Sequence, residues 1–200
     1  AQDLRWQAPH WLLDGQAYDR VIWATSSSNA ALALAEYAQH APESIAKSMQ
    51  TWANTASALH YEAIATVYAW APQARLPHAM LALRNTPTAP AQFVFDRGQL
   101  SGPQGLLAFV VSASDKGREA LQIAVMQQAH DQLAPLGVPM LQPIQTVVEK
   151  QATFACTPAL TRPSMHIAQG LMAAGDYVDG PYPATLEGAV RSGWAAGNLR

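Results

Sequence analysis

The 200-residue chain has one cysteine, Cys156, which rules out an internal disulfide and any metal centre built from several thiolates. Charge is scarce and nearly balanced: 13% of the residues are charged and the formal net charge is −2, which gives no electrostatic grip on nucleic acid. No apolar run approaches the roughly 18 residues that begin to suggest a membrane span, and the opening residues 1–6 lack the order of a secretory signal. No Gly-x-Gly-x-x-Gly triplet occurs, so the turn that holds a dinucleotide pyrophosphate is not in this sequence. The six histidines, at 10, 40, 60, 78, 130 and 166, lack the paired helical spacing of a metalloprotease and read as surface or structural residues; no metal site is expected. Ser26-Ser27-Ser28 lacks the Gly-x-Ser-x-Gly frame of a nucleophile elbow. Cys156 has no basic neighbour that would activate a thiol and reads as a small packing residue.

What is present is core-forming material. Half of the residues are hydrophobic, enough for one large domain or two small ones. Residues 11–16 read as a strand ending in a tight turn, and 18–25 as a buried strand. Residues 26–29 would cap a helix over 30–39, and 48–58 reads as a second helix. Residues 63–70, 80–83, 92–96 and 106–112 carry strand signals, with 97–105 as a hairpin loop. Its Asp96-Arg97 pair reads as a solvated hairpin tip. Residues 117–133 have helical periodicity, with Leu121, Ala124, Val125, Gln128 and Leu133 near one face, ended by Pro135 and Gly137. Residues 144–154 read as a long strand.

The tail holds the most specific pattern. An apolar run over 171–174 leads into Gly175-Asp176, then a loop rich in glycine and proline, then Pro183-Ala184-Thr185-Leu186-Glu187-Gly188-Ala189-Val190-Arg191-Ser192-Gly193. A helix is expected to start near Pro183 or Ala184 and to run past Trp194. A helix start offers free N–H groups and the positive end of a dipole, which suit a partly anionic acceptor. A carboxylate at Asp176 can accept hydrogen bonds from polyol hydroxyls.

This tail resembles the flavin-contact motif of the FAD-dependent amine oxidase and carotenoid (phytoene) desaturase superfamily. Together with Phe95-Asp96-Arg97-Gly98 and Ala152-Thr153-Phe154-Ala155-Cys156-Thr157-Pro158, it is most similar to the squalene-associated FAD-dependent desaturases, the hydroxysqualene dehydroxylases of hopanoid synthesis. The resemblance implies FAD as cofactor, with Gly175, Asp176, Pro183, Ala184, Thr185, Leu186 and Gly188 as its contacts. Asp176 would bond the ribityl chain, the N–H groups of Thr185 and Leu186 would face the pyrimidine edge of the flavin, and Gly188 would permit close packing. It implies an α+β fold: an antiparallel or mixed-sheet substrate domain with flanking helices, joined to carboxyl-terminal pieces of an α/β, Rossmann-like FAD domain. The expected boundaries are 1–40 for the edge of the FAD domain and the crossover, 41–149 for the substrate domain, and 150–200 for the return strand and flavin-contact helix. With the pyrophosphate turn missing, the chain is expected to be the carboxyl-terminal portion of an enzyme about twice as long. Alone it would bind FAD weakly or not at all and be inactive.

Two departures bear on the substrate. Amine oxidases usually carry a lysine, water-linked to the flavin, on the strand matching 64–67, where alignment puts Ala65. They often carry an aromatic cage residue where Thr185 stands. Without either, a cationic amine loses its recognition, which favours an isoprenoid such as hydroxysqualene over the alternatives, a flavin-containing amine oxidase or a non-catalytic apolar-ligand or assembly module. Tyr61, Tyr68, Trp70, Phe93 and Phe95, on strands of the substrate domain, are candidate walls for such a substrate. No general acid for a leaving hydroxyl is evident, so the catalytic residues are unknown. The expected partners are the amino-terminal FAD-binding half, an apolar isoprenoid, a homo-oligomeric copy and a membrane surface touched peripherally, in a cytoplasmic or membrane-associated setting.

Overall fold

In the computed structural model, which describes residues 3–113 and 117–198, the chain divides into two units, one discontinuous (1–60 with 154–200) and one continuous (61–153).

The discontinuous unit begins with three short strands, β1 (Leu4–Gln7), β2 (His10–Leu13) and β3 (Gln16–Tyr18), paired antiparallel in that order. Asp14 and Gly15 join the last two with φ of 50° and 84°, the two left-handed positions of a type I′ hairpin. Trp11 of β2 is 1% exposed, and its indole N–H donates to the Gln169 carbonyl at 2.8 Å, tying the meander to the distant segment near 170. A second small sheet joins the two ends of the chain: β4 (Val21–Trp23) lies parallel to a late strand that also pairs antiparallel with its predecessor. The helix α1 (Ser27–Tyr37) follows β4, with the Ser26 hydroxyl accepting from Asn29 N–H as its cap. α2 (Glu43–Ser57) buries Ile45, Met49, Trp52, Ala53 and Ala56. Trp52 donates to the Ser164 carbonyl at 2.8 Å and stacks edge-on with Tyr177.

In the continuous unit, β5 (Tyr61–Trp70), β6 (Met80–Ala82), β7 (Phe93–Asp96), β8 (Leu106–Ser112) and β9 (Gln142–Phe154) form one sheet in the order β6-β7-β8-β5-β9; β9 runs one residue past the unit's boundary. Alternation puts Ala65, Val67, Ala69, Val94, Leu107, Phe109 and Val111 on one face, where they form a core with Leu121, Val125, Ala129 and Leu133 of α3 (Arg118–Leu133). Gln128 of the same helix face is 2% exposed and fully used: its side-chain oxygen accepts from Ala91 N–H, and its amide donates to the carbonyls of Ala91 and Arg84.

The α+β class expected from the tail's resemblance stands. The α/β part amounts to one parallel strand pair among the described residues, not a doubly wound sheet. The remaining elements of the discontinuous unit are β10 (His166–Ala168), β11 (Leu171–Ala173) and α4 (Leu186–Asn198). Several local expectations change. The buried strand over 18–25 shrinks to Val21–Trp23, because Tyr18 pairs with Trp11 in the meander instead. α2 starts five residues before Ser48, just after Pro42, which supplies an extended N-cap. It stays with the discontinuous unit, so that unit reaches His60 and not residue 40, and Trp52 shows the packing reason. Cys156 is exposed, not packed. Asp96 is 2% exposed and not a solvated tip: its carboxylate accepts from Leu76 N–H, Gln99 N–H and the Gln99 side-chain amide. Burial pushes its carboxyl pKa up, but the hydrogen bonds from Gln99, Leu76 and Gly98 outweigh that and hold it below the ordinary carboxylate value.

Candidate functional site

The tail forms a strand, a strained loop and a helix held together by backbone contacts. β11 is buried throughout and ends at Ala173. At Gly175 the chain turns so closely over Tyr177 that an added Cβ would sit 2.4 Å from the ring. Tyr177 is itself anchored, its hydroxyl donating to the Thr25 carbonyl at 3.1 Å. The loop then passes through Tyr182 and Ala184, both at positive φ (58° and 56°) although neither is glycine. Such conformations cost about 1–3 kcal/mol each and persist only where their surroundings fix them. Here the fixing contacts are visible. Ala184 N–H donates to the Asp176 carbonyl at 3.3 Å, and the Thr185 hydroxyl donates to the Tyr182 carbonyl at 2.7 Å.

The helix starts later than the sequence suggested. Pro183 and Ala184 lie in the turn, and Thr185 is the capping residue: its hydroxyl accepts from Gly188 N–H at 3.0 Å and its carbonyl from Ala189 N–H at 3.1 Å. Gly188 is required by the loop itself, since a Cβ there would lie 2.2 Å from the Tyr182 carbonyl oxygen. Ser192, which sequence reasoning passed over, closes the unit. Its hydroxyl accepts from Gly175 N–H and lies 2.9 Å from the carbonyl oxygens of Gly175 and Ala189. Arg162 grips the same loop from the other side, donating to the Val178 carbonyl at 3.0 Å, the Asp179 carboxylate at 3.2 Å and the Gly180 carbonyl. The Arg191 guanidinium stacks 4.8 Å above the Tyr182 ring. Neither arginine was singled out from the sequence. The signal available was only that arginines stand at 162 and 191, on either side of a glycine- and proline-rich loop.

These contacts leave specific groups free. The N–H groups of Thr185, Leu186 and Glu187 have no acceptor among the described residues, and the half-buried Asp176 carboxylate has no donor among them. A cavity of about 520 Å³ opens between the loop and α4, lined by Val178, Gly180, Pro181, Gly188, Arg191 and Trp194 among others. That volume falls within the roughly 300–1,000 Å³ range of cofactor and ligand sites. Of the seven expected cofactor contacts, Gly188 lines this cavity. Gly175, Asp176, Pro183, Ala184, Thr185 and Leu186 belong to the same loop and helix start but lie outside the lining.

The five aromatic residues fall into two sets. Direct cross-strand partners share a face: Phe93 pairs with Val110, Phe95 with Ala108, Tyr68 also with Ala108, and Trp70 with Leu106. Tyr68, Trp70, Phe93 and Phe95 therefore share the face opposite the α3-covered core, together with Met80, the partner of Phe95. Phe93 is 40% exposed and Met80 51% exposed. Tyr61 has the parity of the core face and does not join them. Within this unit the four make an open apolar face. An apolar cavity of about 490 Å³ lies elsewhere, between α3 and residues 138–143, lined by Ile123, Met126, Val138, Met140 and Leu141.

Ala65 is 0% exposed and turned into the core; its neighbours of the other parity are Ile64 and Thr66. No lysine occurs anywhere in Tyr61–Trp70, so the departure from amine oxidases holds whatever the register.

Sheet, helices and tail together define an α+β fold. The chain is similar to a crystal structure of an oxidoreductase from Methanosarcina mazei, with a TM-score of 0.61 and 14% identity, over 95% of this chain and 46% of that one. The family profile described as flavin containing amine oxidoreductase matches residues 10–198, and the chain belongs to that family. A stretch of 62 residues is 48% identical to a hydroxysqualene dehydroxylase from Rhodopseudomonas palustris, covering 30% of this chain and 15% of that protein. The chain thus spans about half the length of the solved oxidoreductase, and the matched stretch is a much smaller share of the curated relative.

Proposed function

We propose that the chain is the carboxyl-terminal part of a FAD-dependent oxidoreductase that acts on an isoprenoid such as hydroxysqualene, and that it supplies the flavin edge and one wall of the substrate site. The observation that carries this reading is the free helix start together with a half-buried Asp176 carboxylate that has no donor among the described residues. The residues suit the pyrimidine side and polyol chain of a flavin: Thr185, Leu186 and Glu187 offer N–H donors at the positive end of α4, and Asp176 offers an acceptor for hydroxyls. When bound, the flavin would carry the electron pair of the reaction. The chain's own residues would orient the ring and stabilise negative charge at its edge through fixed donors that need no reorganisation. The face of Tyr68, Trp70, Phe93 and Phe95 would pack against the hydrocarbon and keep water away.

The amino-terminal half is the partner this reading requires. α4 supports it, because Leu186, Val190 and Trp194, spaced four residues apart, are 88%, 68% and 76% exposed. Three large apolar residues on one helical stripe suit a protein surface better than water. The missing β5 lysine and the use of the Thr185 hydroxyl as a cap favour a hydrocarbon over an amine.

The test joins the chain to the coding sequence upstream of it. The expected result is a yellow protein that converts hydroxysqualene and a reductant to squalene, detected by mass spectrometry, with no peroxide from a panel of amines. Peroxide release from amines would transfer the reading to an amine oxidase. A longer protein that stays colourless after FAD reconstitution would end it, and tight binding of squalene-like lipids by that colourless protein would favour a ligand module using the α3 cavity. Val190→Asp on α4 is expected to abolish assembly with the upstream half while leaving the circular dichroism of the chain unchanged.

A further inference from the structure

The discontinuous unit holds a second pocket that the flavin reading does not use. It measures about 510 Å³ and lies between one face of α2, carrying Lys47, Ser48, Thr51 and Thr55, and residues 161–167, with Trp52 between them. Its lining contains three nitrogen bases, Lys47, Arg162 and His166, and five hydroxyl residues, but no carboxylate. The chain has only 12 lysines and arginines against 14 aspartates and glutamates, so this local excess runs against its overall balance.

Half of these groups are unspent; the hydroxyls of Ser48, Thr55 and Ser164 are taken by backbone carbonyls. Among the described residues, the Lys47 ammonium, the His166 ring and the hydroxyls of Thr51 and Thr161 take part in no hydrogen bond or ion pair. Arg162 differs. Its side chain is 10% exposed and its terminal nitrogens are engaged by residues 178–180, the Asp179 carboxylate among them, so it stiffens this wall while the free donors come from Lys47, Thr51, Thr161 and His166. Donors that converge from two walls suit an anion with several oxygens, because each oxygen can meet a different donor. The volume exceeds what a bare ion needs, and leaves room for the organic group that carries it.

We propose that this pocket binds a phosphoryl group on an organic carrier, either a soluble phosphate ester or the headgroup of an anionic phospholipid.

The test titrates the chain with inorganic phosphate and with glycerol 3-phosphate at constant ionic strength, followed by calorimetry. A parallel arm measures co-sedimentation with phosphatidylcholine vesicles, with and without phosphatidylglycerol. Wild type is compared with Lys47→Ala/His166→Ala, with Thr161→Ala, and with Lys150→Ala as a charge control on β9. Lys47, Thr161 and His166 are exposed, so these variants should keep the wild-type circular dichroism. Saturable binding of the soluble phosphates, weakened about tenfold or more in the double variant and unchanged in Lys150→Ala, supports the pocket as a phosphate-ester site. Binding only to phosphatidylglycerol vesicles, lost in the double variant, supports a lipid headgroup. No binding in either arm, or equal binding by wild type and the double variant, overturns the proposal.

Discussion

α3 and α4 are built on opposite plans. α3 turns Leu121, Val125, Ala129 and Leu133 inward and, apart from Ile123, keeps its large apolar residues from water. α4 buries small residues, Gly188 and Ala196, and leaves Leu186, Val190 and Trp194 to solvent. One helix has found its hydrophobic partner within its own unit. The other packs closely through small side chains, and its large ones have nothing to cover them. Burial, not amphipathicity, separates a helix that completes a fold from one that serves a surface.

The largest expected contrast comes from equivalent truncations on the two helices. Leu121→Ala should cost about 3 kcal/mol, since it empties a fully buried site, whereas Val190→Ala should change stability by less than about 0.5 kcal/mol. Urea titration of both variants measures the difference, and equal losses would mean that α4 is covered in solution.

Next comes the buried carboxylate of the continuous unit. Asp96→Asn should cost about 2 kcal/mol near neutral pH, because one of the two accepting oxygens becomes an NH2 group facing donors and the remaining bonds lose their charge. The folded-state pKa lies below the ordinary value, so this contribution is fully present above about pH 4 and fades as pH falls through the lowered value. Stability curves of wild type and variant should therefore converge in acid; a gap that widens there would contradict the assignment.

Two of the three glycines of α4 offer a finer comparison. Gly188→Ala should cost about 1–3 kcal/mol by driving a Cβ into the Tyr182 carbonyl. Gly193→Ala meets nothing within 4 Å and should stabilise by about 0.5–1 kcal/mol through helix propensity. Thermal denaturation reads both signs. Thr185→Ala should cost about 1 kcal/mol for the lost cap, read as fraying of α4 by hydrogen exchange at Gly188.

Periodicity was enough to place β5, β7, β8 and α3, because each buries one face and the alternation records it. It failed where local signals compete with pairing. Residues 18–25 look like one apolar strand, yet Tyr18 is drawn into a meander by Trp11, and nothing in its own neighbours announces that. The helix start slipped to Leu186 because Pro183 and Ala184 suit an opening turn as well as a loop, and the positive φ of Ala184 is invisible in an alanine. The tail was legible as a strand, loop and helix, but its internal fixings were not. Ser192 and Arg162 act on backbone atoms, and such contacts leave no trace in residue spacing. Asp96 was misjudged for the same reason: only the fold shows that its donors come from Leu76 and Gln99.

The Ser192 hydroxyl fastens the end of β11 to the second turn of α4. The span between these two posts is pinned as well, at Gly180 by Arg162 and at Tyr182 by the Thr185 hydroxyl. A loop whose backbone is set in advance has little left to order when something settles against it, so any affinity it shows is not diminished by stiffening the chain.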